Sequence, residues 1–190
     1  GEFRLYLRGV DEREAHALDG TDGGHYPFWS PDSRWLGFVA NGKLRKVLAT
    51  GGPVQTICDA PDGKGGTWNE DGVIVFTPDS GTPLYRVAAV GGEATPISEL
   101  DLARGDNSHR QPRFLPDGRR VLFYARNSAG DNDGWVRVIG LDEGGSGRDL
   151  VRSPSSARYA AGHLLFLRDN ILMAQPFDPA TLDFRGDVFP

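Results

Sequence analysis

Two histidines stand just before segments that we interpret as the first strands of repeated units. His25 is followed by Tyr26, and His109 is followed by Arg110. We place both pairs in equivalent loops, which in a repeated structure often open onto its centre, so they are candidate ligand-facing positions. An imidazole in a solvated loop is the simpler interpretation, and we favour it for both histidines.

A metal site would need several ligands that converge in space, and spacing alone does not show this. Asp131, Asn132 and Asp133 form a run of oxygen-bearing side chains that would suit a hard cation such as calcium. The run lacks the alternating ligands and the terminal glutamate of a dedicated calcium loop, which favours a hydrated hairpin tip. We therefore predict no metal and no cofactor.

The remaining chemistry-bearing residues are sparse. No serine lies in a Gly-x-Ser-x-Gly elbow, and the glycines at 144–147 follow the rhythm of a hairpin turn instead of forming a phosphate loop. Cys58 is the one cysteine, which excludes an internal disulfide or a paired-cysteine metal site. We predict no catalytic residue and a chain that is not an enzyme.

A segment that recurs four times governs the organisation of the chain. Its aromatic landmarks are Trp29, Trp68, Phe114 and Tyr159. A period of about 40–45 residues indicates stacked supersecondary units. In each copy an aromatic residue ends one strand, a corner turns the chain, and an apolar run forms the next strand.

The corners contain Asp32, Asp71 and Asp117, each followed by serine or glycine. Aspartate can accept a hydrogen bond from its own downstream backbone, and glycine accepts the positive φ of tight turns. We therefore assign these aspartates a structural role. A third strand ending in paired glycines and a short polar fourth strand complete each unit.

The aromatic residues of the repeats are expected to form the core between neighbouring sheets, because each large ring buries much apolar surface there. The set comprises Trp29, Trp35, Trp68, Phe76, Phe114 and Phe123.

Four short antiparallel strands per unit describe a β-propeller blade. We predict an all-β, partial propeller of about four and a half blades in an open arc. The predicted half blade spans residues 3–19, the full blades 24–62, 63–105 and 106–153, and the last blade 156–190. The half blade lacks inner strands, so we expect the remaining blades in a longer parent protein.

Composition narrows the partners. The formal charge is −5, and no basic stripe suitable for nucleic acid is present. No apolar run in the chain approaches the length of a membrane span. The expected partner is an unknown protein or small ligand.

Longer phrases carry a family resemblance. Residues 26–34, 51–60, 66–76, 108–118 and 172–178 follow one another in an order that resembles the C-terminal propeller of bacterial eukaryotic-like serine/threonine protein kinases. The Ser-Pro-Asp corners alone resemble the broader TolB-like and WD-like repeats. The kinase resemblance implies an extracytoplasmic sensor joined by a single membrane helix to a cytoplasmic kinase, whose catalytic motifs are absent from this sequence.

The leading hypothesis is thus a non-catalytic binding or sensing propeller of a membrane-anchored kinase. Two alternatives stay open: the accessory propeller of a prolyl-oligopeptidase-like hydrolase, and a TolB-like periplasmic scaffold that docks other proteins.

Overall fold

The computed structural model describes residues 3–127 and 134–190. Within these residues the regular structure is β-strand apart from one 3-10 turn at Leu102–Arg104. No helix in the described ranges is long and apolar enough to cross a membrane. The prediction of an all-β chain is confirmed.

The strands form one two-stranded sheet and four four-stranded antiparallel sheets, and each sheet is built from consecutive strands. The two-stranded sheet contains β1 (Tyr6–Leu7) and β2 (His16–Ala17). The first four-stranded sheet contains β3 (His25–Trp29), β4 (Trp35–Ala40), β5 (Lys43–Leu48) and β6 (Gln55–Asp59). The second contains β7 (Gly66–Trp68), β8 (Val73–Phe76), β9 (Tyr85–Ala88) and β10 (Thr95–Pro96). The third contains β11 (Asp106–Phe114), β12 (Arg120–Asn127), β13 (Gly134–Gly140) and β14 (Arg148–Ser153). The fourth contains β15 (Arg158–Ala160), β16 (His163–Arg168), β17 (Ile171–Asp178) and β18 (Asp183–Phe184).

The corners between the first two strands of each sheet use local side-chain hydrogen bonds. Asp32 Oδ1 accepts from the Arg34 amide at 3.1 Å, and Asp117 Oδ1 accepts from the Arg120 amide at 3.0 Å. In the second sheet Asn69 has this role, because its Oδ1 accepts from the Val73 amide at 2.9 Å. The corner aspartate predicted there, Asp71, is an exposed side chain.

The chain divides into two compact units, residues 1–80 with 85–95 and residues 81–84 with 96–190. In the first unit, β4 is buried on both faces. One face packs on Leu5 and Leu18 from the N-terminal segment. The other face contributes Val39 to a core that includes Ile74 and Phe76 of the second sheet.

The Phe28 ring packs against a glycine of each of the first two four-stranded sheets. A Cβ atom at Gly37 would lie 2.3 Å from the Phe28 ring, and one at Gly66 would lie 2.4 Å from it. Both distances are far below van der Waals contact, so only glycine leaves room for the ring. Phe28 is 6% exposed as a result.

The core of the second unit lies between the third and fourth sheets. Leu122 and Val136 of the third sheet pack with Leu164, Phe166 and Phe177 of the fourth. The aromatic rings of Phe177 and Phe184 contact each other at 5.3 Å between centroids.

The first strands of the first and third four-stranded sheets, β3 and β11, share a backbone irregularity. Tyr26 and Gln111 both have φ of 51°, and the strand register shifts at these points. A non-glycine residue in the left-handed region is uncommon and costs free energy. Each is followed by a proline, Pro27 or Pro112, so the two bulges occupy the same position of the repeat.

Candidate functional site

The most distinctive concave surface of the first unit is a cleft between two corner turns, with a volume of about 450 Å³. We call it the turn cleft. Its lining comes from the β3–β4 turn and the β7–β8 turn, namely Ser30, Pro31, Asp32, Trp35, Trp68, Asn69, Glu70 and Gly72. This volume lies within the range of ligand pockets.

The ammonium group of Lys46 contacts both tryptophan rings of the turn cleft. Lys46 Nζ lies 4.8 Å from the centroid of the Trp35 ring and 5.9 Å from that of Trp68. The same ammonium donates to the Ala89 carbonyl at 2.8 Å. Burial lowers the pKa of Lys46 from its ordinary value. Cation–π attraction to both rings fixes the indoles relative to each other.

Ser30 and Asp32 shape one edge of the turn cleft. The buried Ser30 hydroxyl donates to Asp32 Oδ1 at 2.5 Å and accepts from the Trp35 amide at 2.9 Å. The hydrogen bond from Ser30, helped by the Arg34 amide, lowers the pKa of Asp32. Asp32 therefore stays ionised at the rim, where the exposed Glu70 supplies a second carboxylate.

The second unit contains a buried polar network centred on Asp106. Asp106 Oδ2 accepts from Arg137 at 2.5 Å and from the Asp101 amide at 3.1 Å, and it lies 3.3 Å from His109 Nε2. His109 Nδ1 lies 2.8 Å from the Ser98 hydroxyl. His109 is 0% exposed, which corrects the prediction of a solvated loop histidine.

Burial sets the protonation of this network. Desolvation lowers the pKa of His109, although Asp106 opposes the shift. Burial also disfavours the charge on Asp106, but hydrogen bonds from His109 and Arg137 outweigh it and lower its pKa. Ser98, His109 and Asp106 resemble a hydrolytic trio in type, but all are buried, so they stabilise the fold here.

Arg137 extends the network to a second carboxylate. Its Nε donates to Asp149 at 2.7 Å, and Arg104 reaches the other oxygen of Asp149 at 2.6 Å. Arg137 itself is fully buried. A charge removed from water in this way requires its partners, because an unpaired buried guanidinium is costly.

The two candidate histidines, His25 and His109, do not occupy equivalent positions of the repeat. His25 pairs with Val39 across the sheet, whereas Arg110 pairs with Tyr124. The repeat therefore aligns His25 with Arg110, and His109 has no histidine counterpart. His25 contacts the Tyr26 ring at 5.3 Å, and Arg110 Nε donates to Ser108 at 2.8 Å.

The predicted aromatic core is only partly correct. Trp29 is 45% exposed, because it points away from the face on which its neighbour Phe28 is buried. Trp68 is half-buried and packs against the core of the first unit, and Phe114 is half-buried. Asp131–Asp133 lies outside the described residues, among which no group of three or more potential ligands could hold a metal.

Sequence reasoning missed the turn cleft, because Trp35 and Trp68 were both assigned to the core. A signal for it was present: tryptophan and carboxylate recur together at the corners, as Asp32 with Trp35 and as Trp68 with Glu70.

Solved structures with a related fold are β-propellers. TolB from Acinetobacter baumannii aligns with a TM-score of 0.71 and 16% identity over 97% of this chain and 50% of its own. Regucalcin from Agrobacterium tumefaciens, described as a calcium-binding protein, aligns at 0.60 and 15% over 87% and 58%. A gluconolactonase from Xanthomonas campestris aligns at 0.58 and 13% over 84% and 60%. This chain has the β-propeller fold.

The chain spans half to three fifths of the length of these structures. No protein-family model and no curated protein matches the sequence. At such low identity the likeness concerns the fold alone.

The comparison corrects the prediction that the chain is not an enzyme. Among propellers with this fold is a protein whose name states an enzymatic activity, the gluconolactonase. The absence of familiar catalytic motifs was therefore an insufficient reason to exclude catalysis.

Proposed function

We propose that this chain is a binding propeller whose recognition site is the turn cleft. The observation that carries the proposal is the pair of indoles, Trp35 and Trp68, held by Lys46 beside two rim carboxylates. A preformed cleft with aromatic walls and a few polar groups is the usual form of a ligand site.

The resemblance of residues 26–34, 66–76 and 108–118 to kinase-linked propellers supports a place for this domain in a membrane-anchored serine/threonine kinase, on the extracytoplasmic side. The remaining blades of that propeller would lie elsewhere in the parent protein. The likeness to TolB supports a second candidate, a periplasmic scaffold that docks proteins. The full coding sequence separates them: a kinase domain with one apolar helix of about 20 residues supports the first.

Intrinsic fluorescence provides a direct test of the binding site. The chain has four tryptophans, and replacing Trp29 and Trp135 by phenylalanine leaves emission only from the turn cleft. We expect at least one compound from a panel of peptides and oligosaccharides to change this emission. If no compound changes it at saturating concentration, the turn cleft is not a recognition site.

A further inference from the structure

We propose that the turn cleft binds an extended peptide segment that contains proline and carries a lysine or arginine side chain. This inference rests on the proposed function and specifies its ligand. Three features of the cleft support it: the N–H groups of its indoles, the faces of those indoles, and the charge at its rim.

The indole N–H groups are available to a ligand. Among the described residues, neither Trp35 Nε1 nor Trp68 Nε1 has a hydrogen-bond partner, and both side chains are only half-buried. A ligand that offers acceptor atoms can therefore take the place of water at these N–H groups. A polyproline II segment does so, because its backbone has no internal hydrogen bonds and its carbonyls remain free.

The indole walls suit a rigid apolar ligand. Lys46 contacts both rings but does not line the cleft, so the ring surfaces that face the cleft remain open for packing. Proline-rich segments dock in aromatic-lined grooves with little further loss of conformational entropy, since φ is already fixed. Pro31 adds a further apolar surface to the same wall.

The rim carboxylates select a positive charge. Both hydrogen bonds to the Asp32 side chain use Oδ1, so within the described chain Oδ2 is available, and Glu70 has no ion-pair partner there. The lining contains these two acidic residues and no basic one. A neutral oligosaccharide can stack on the indoles and donate hydroxyl hydrogen bonds to the carboxylates, but only a basic side chain also neutralises their charge, which is why a basic peptide is favoured.

The test is fluorescence anisotropy of a fluorescein-labelled polyproline peptide that begins with arginines, titrated with the chain. We expect saturable binding that weakens with added salt. Trp35→Phe and Trp68→Phe keep a ring but remove the N–H, and each should weaken binding about two- to tenfold. Glu70→Gln should weaken it about two- to fivefold.

Matched controls are Trp135→Phe in the second unit and Glu93→Gln on the exposed β9–β10 connection, which should leave the affinity unchanged. Thermal unfolding of every variant checks that the fold is retained. The same peptide with glutamines in place of the arginines should bind more weakly.

Two results would overturn the inference. Equal affinity for the glutamine peptide would remove the role of the rim charge. Failure of the arginine peptide, while an oligosaccharide changes the emission of Trp35 and Trp68, would assign the cleft to a different ligand and leave the proposed binding function intact. If neither probe nor any panel compound perturbs those indoles, the proposed function fails as well.

Discussion

Replacing Asp106 by asparagine should destabilise the protein more than any single change on its surface. One carboxylate oxygen of Asp106 accepts from Arg137, and the backbone amide of Asp101 reaches the same atom. The amide of asparagine has nearly the same shape but no charge. The substitution therefore isolates the electrostatic role of Asp106 without opening a cavity.

The magnitude follows from burial. The side chain of Arg137 is 0% exposed and that of Asp106 is 2% exposed. Water therefore cannot replace the lost carboxylate as a partner of the guanidinium. Breaking a buried pair typically costs about 3–5 kcal/mol. Asp149, 2.7 Å from Arg137 Nε, remains as a second partner. We therefore expect a loss near the lower end, about 3 kcal/mol in the free energy of unfolding.

Urea unfolding followed by circular dichroism measures this loss. Asp183→Asn is the matched control, because Arg148 and Asp183 are 3.5 Å apart with side chains 57% and 62% exposed. An exposed pair contributes about 0–1 kcal/mol. Adding Arg137→Met to Asp106→Asn should recover stability by removing the orphaned charge. The reasoning is refuted if Asp106→Asn costs no more than Asp183→Asn.

Three further predictions use other parts of the fold. Burial lowers the pKa of His109, so as pH falls below about 6.5 the unfolded chain gains this proton before the folded chain does. The free energy of unfolding, measured in urea, should therefore decrease with falling pH, and His109→Asn should reduce this pH dependence. An unchanged pH dependence in the variant would contradict this. Gly66→Ala places a Cβ 2.4 Å from the Phe28 ring and should lower the free energy of unfolding by about 1–3 kcal/mol. Gly81→Ala, with open space around its Cβ, should leave the melting temperature unchanged. Equal melting temperatures for the two variants would show that Phe28 does not need the space at Gly66. Burial raises the pKa of Cys58 to about 11. In the folded protein the thiol should therefore react slowly with a disulfide reagent at mildly alkaline pH, and in urea it should react quickly. A rapid reaction in the folded protein would contradict this prediction.

The strand pattern was predictable because aromatic residues, corners and paired glycines recur with one period. The choice of which aromatic faces the neighbouring sheet was not. Phe28 and Trp29 are adjacent, so they point to opposite faces of the strand, and a one-residue shift exchanges their roles. The space for Phe28 is made by Gly37, its partner across the hairpin, and by Gly66 of the next sheet, and a Cβ at either glycine would meet the ring.

The sequence alone could have shown that His109 is not the repeat equivalent of His25. Pro27 and Pro112 occupy the same place in the repeat, and counting back from them aligns His25 with Arg110. The burial of His109 could not be predicted in this way, because it depends on contacts that the fold creates. Ser98 comes from the connection after β10, and Asp106, which also contacts His109, is paired with Arg137 of β13. The turn cleft was hidden for a related reason: a tryptophan that packs against a core and one that lines a cleft look the same in a sequence.

Every four-stranded sheet is made from consecutive strands, so its hydrogen-bonded ladder is confined to one continuous stretch of chain. Gene duplication can copy such a stretch without breaking any ladder in its neighbours. Substitution of an exposed corner residue that holds no turn hydrogen bond among the described residues, such as Glu70, likewise leaves the flanking pair of Trp68 with Ile74 in place. The side chains at the corners, such as Glu70, can therefore change the lining of the turn cleft while the ladders of the scaffold stay the same.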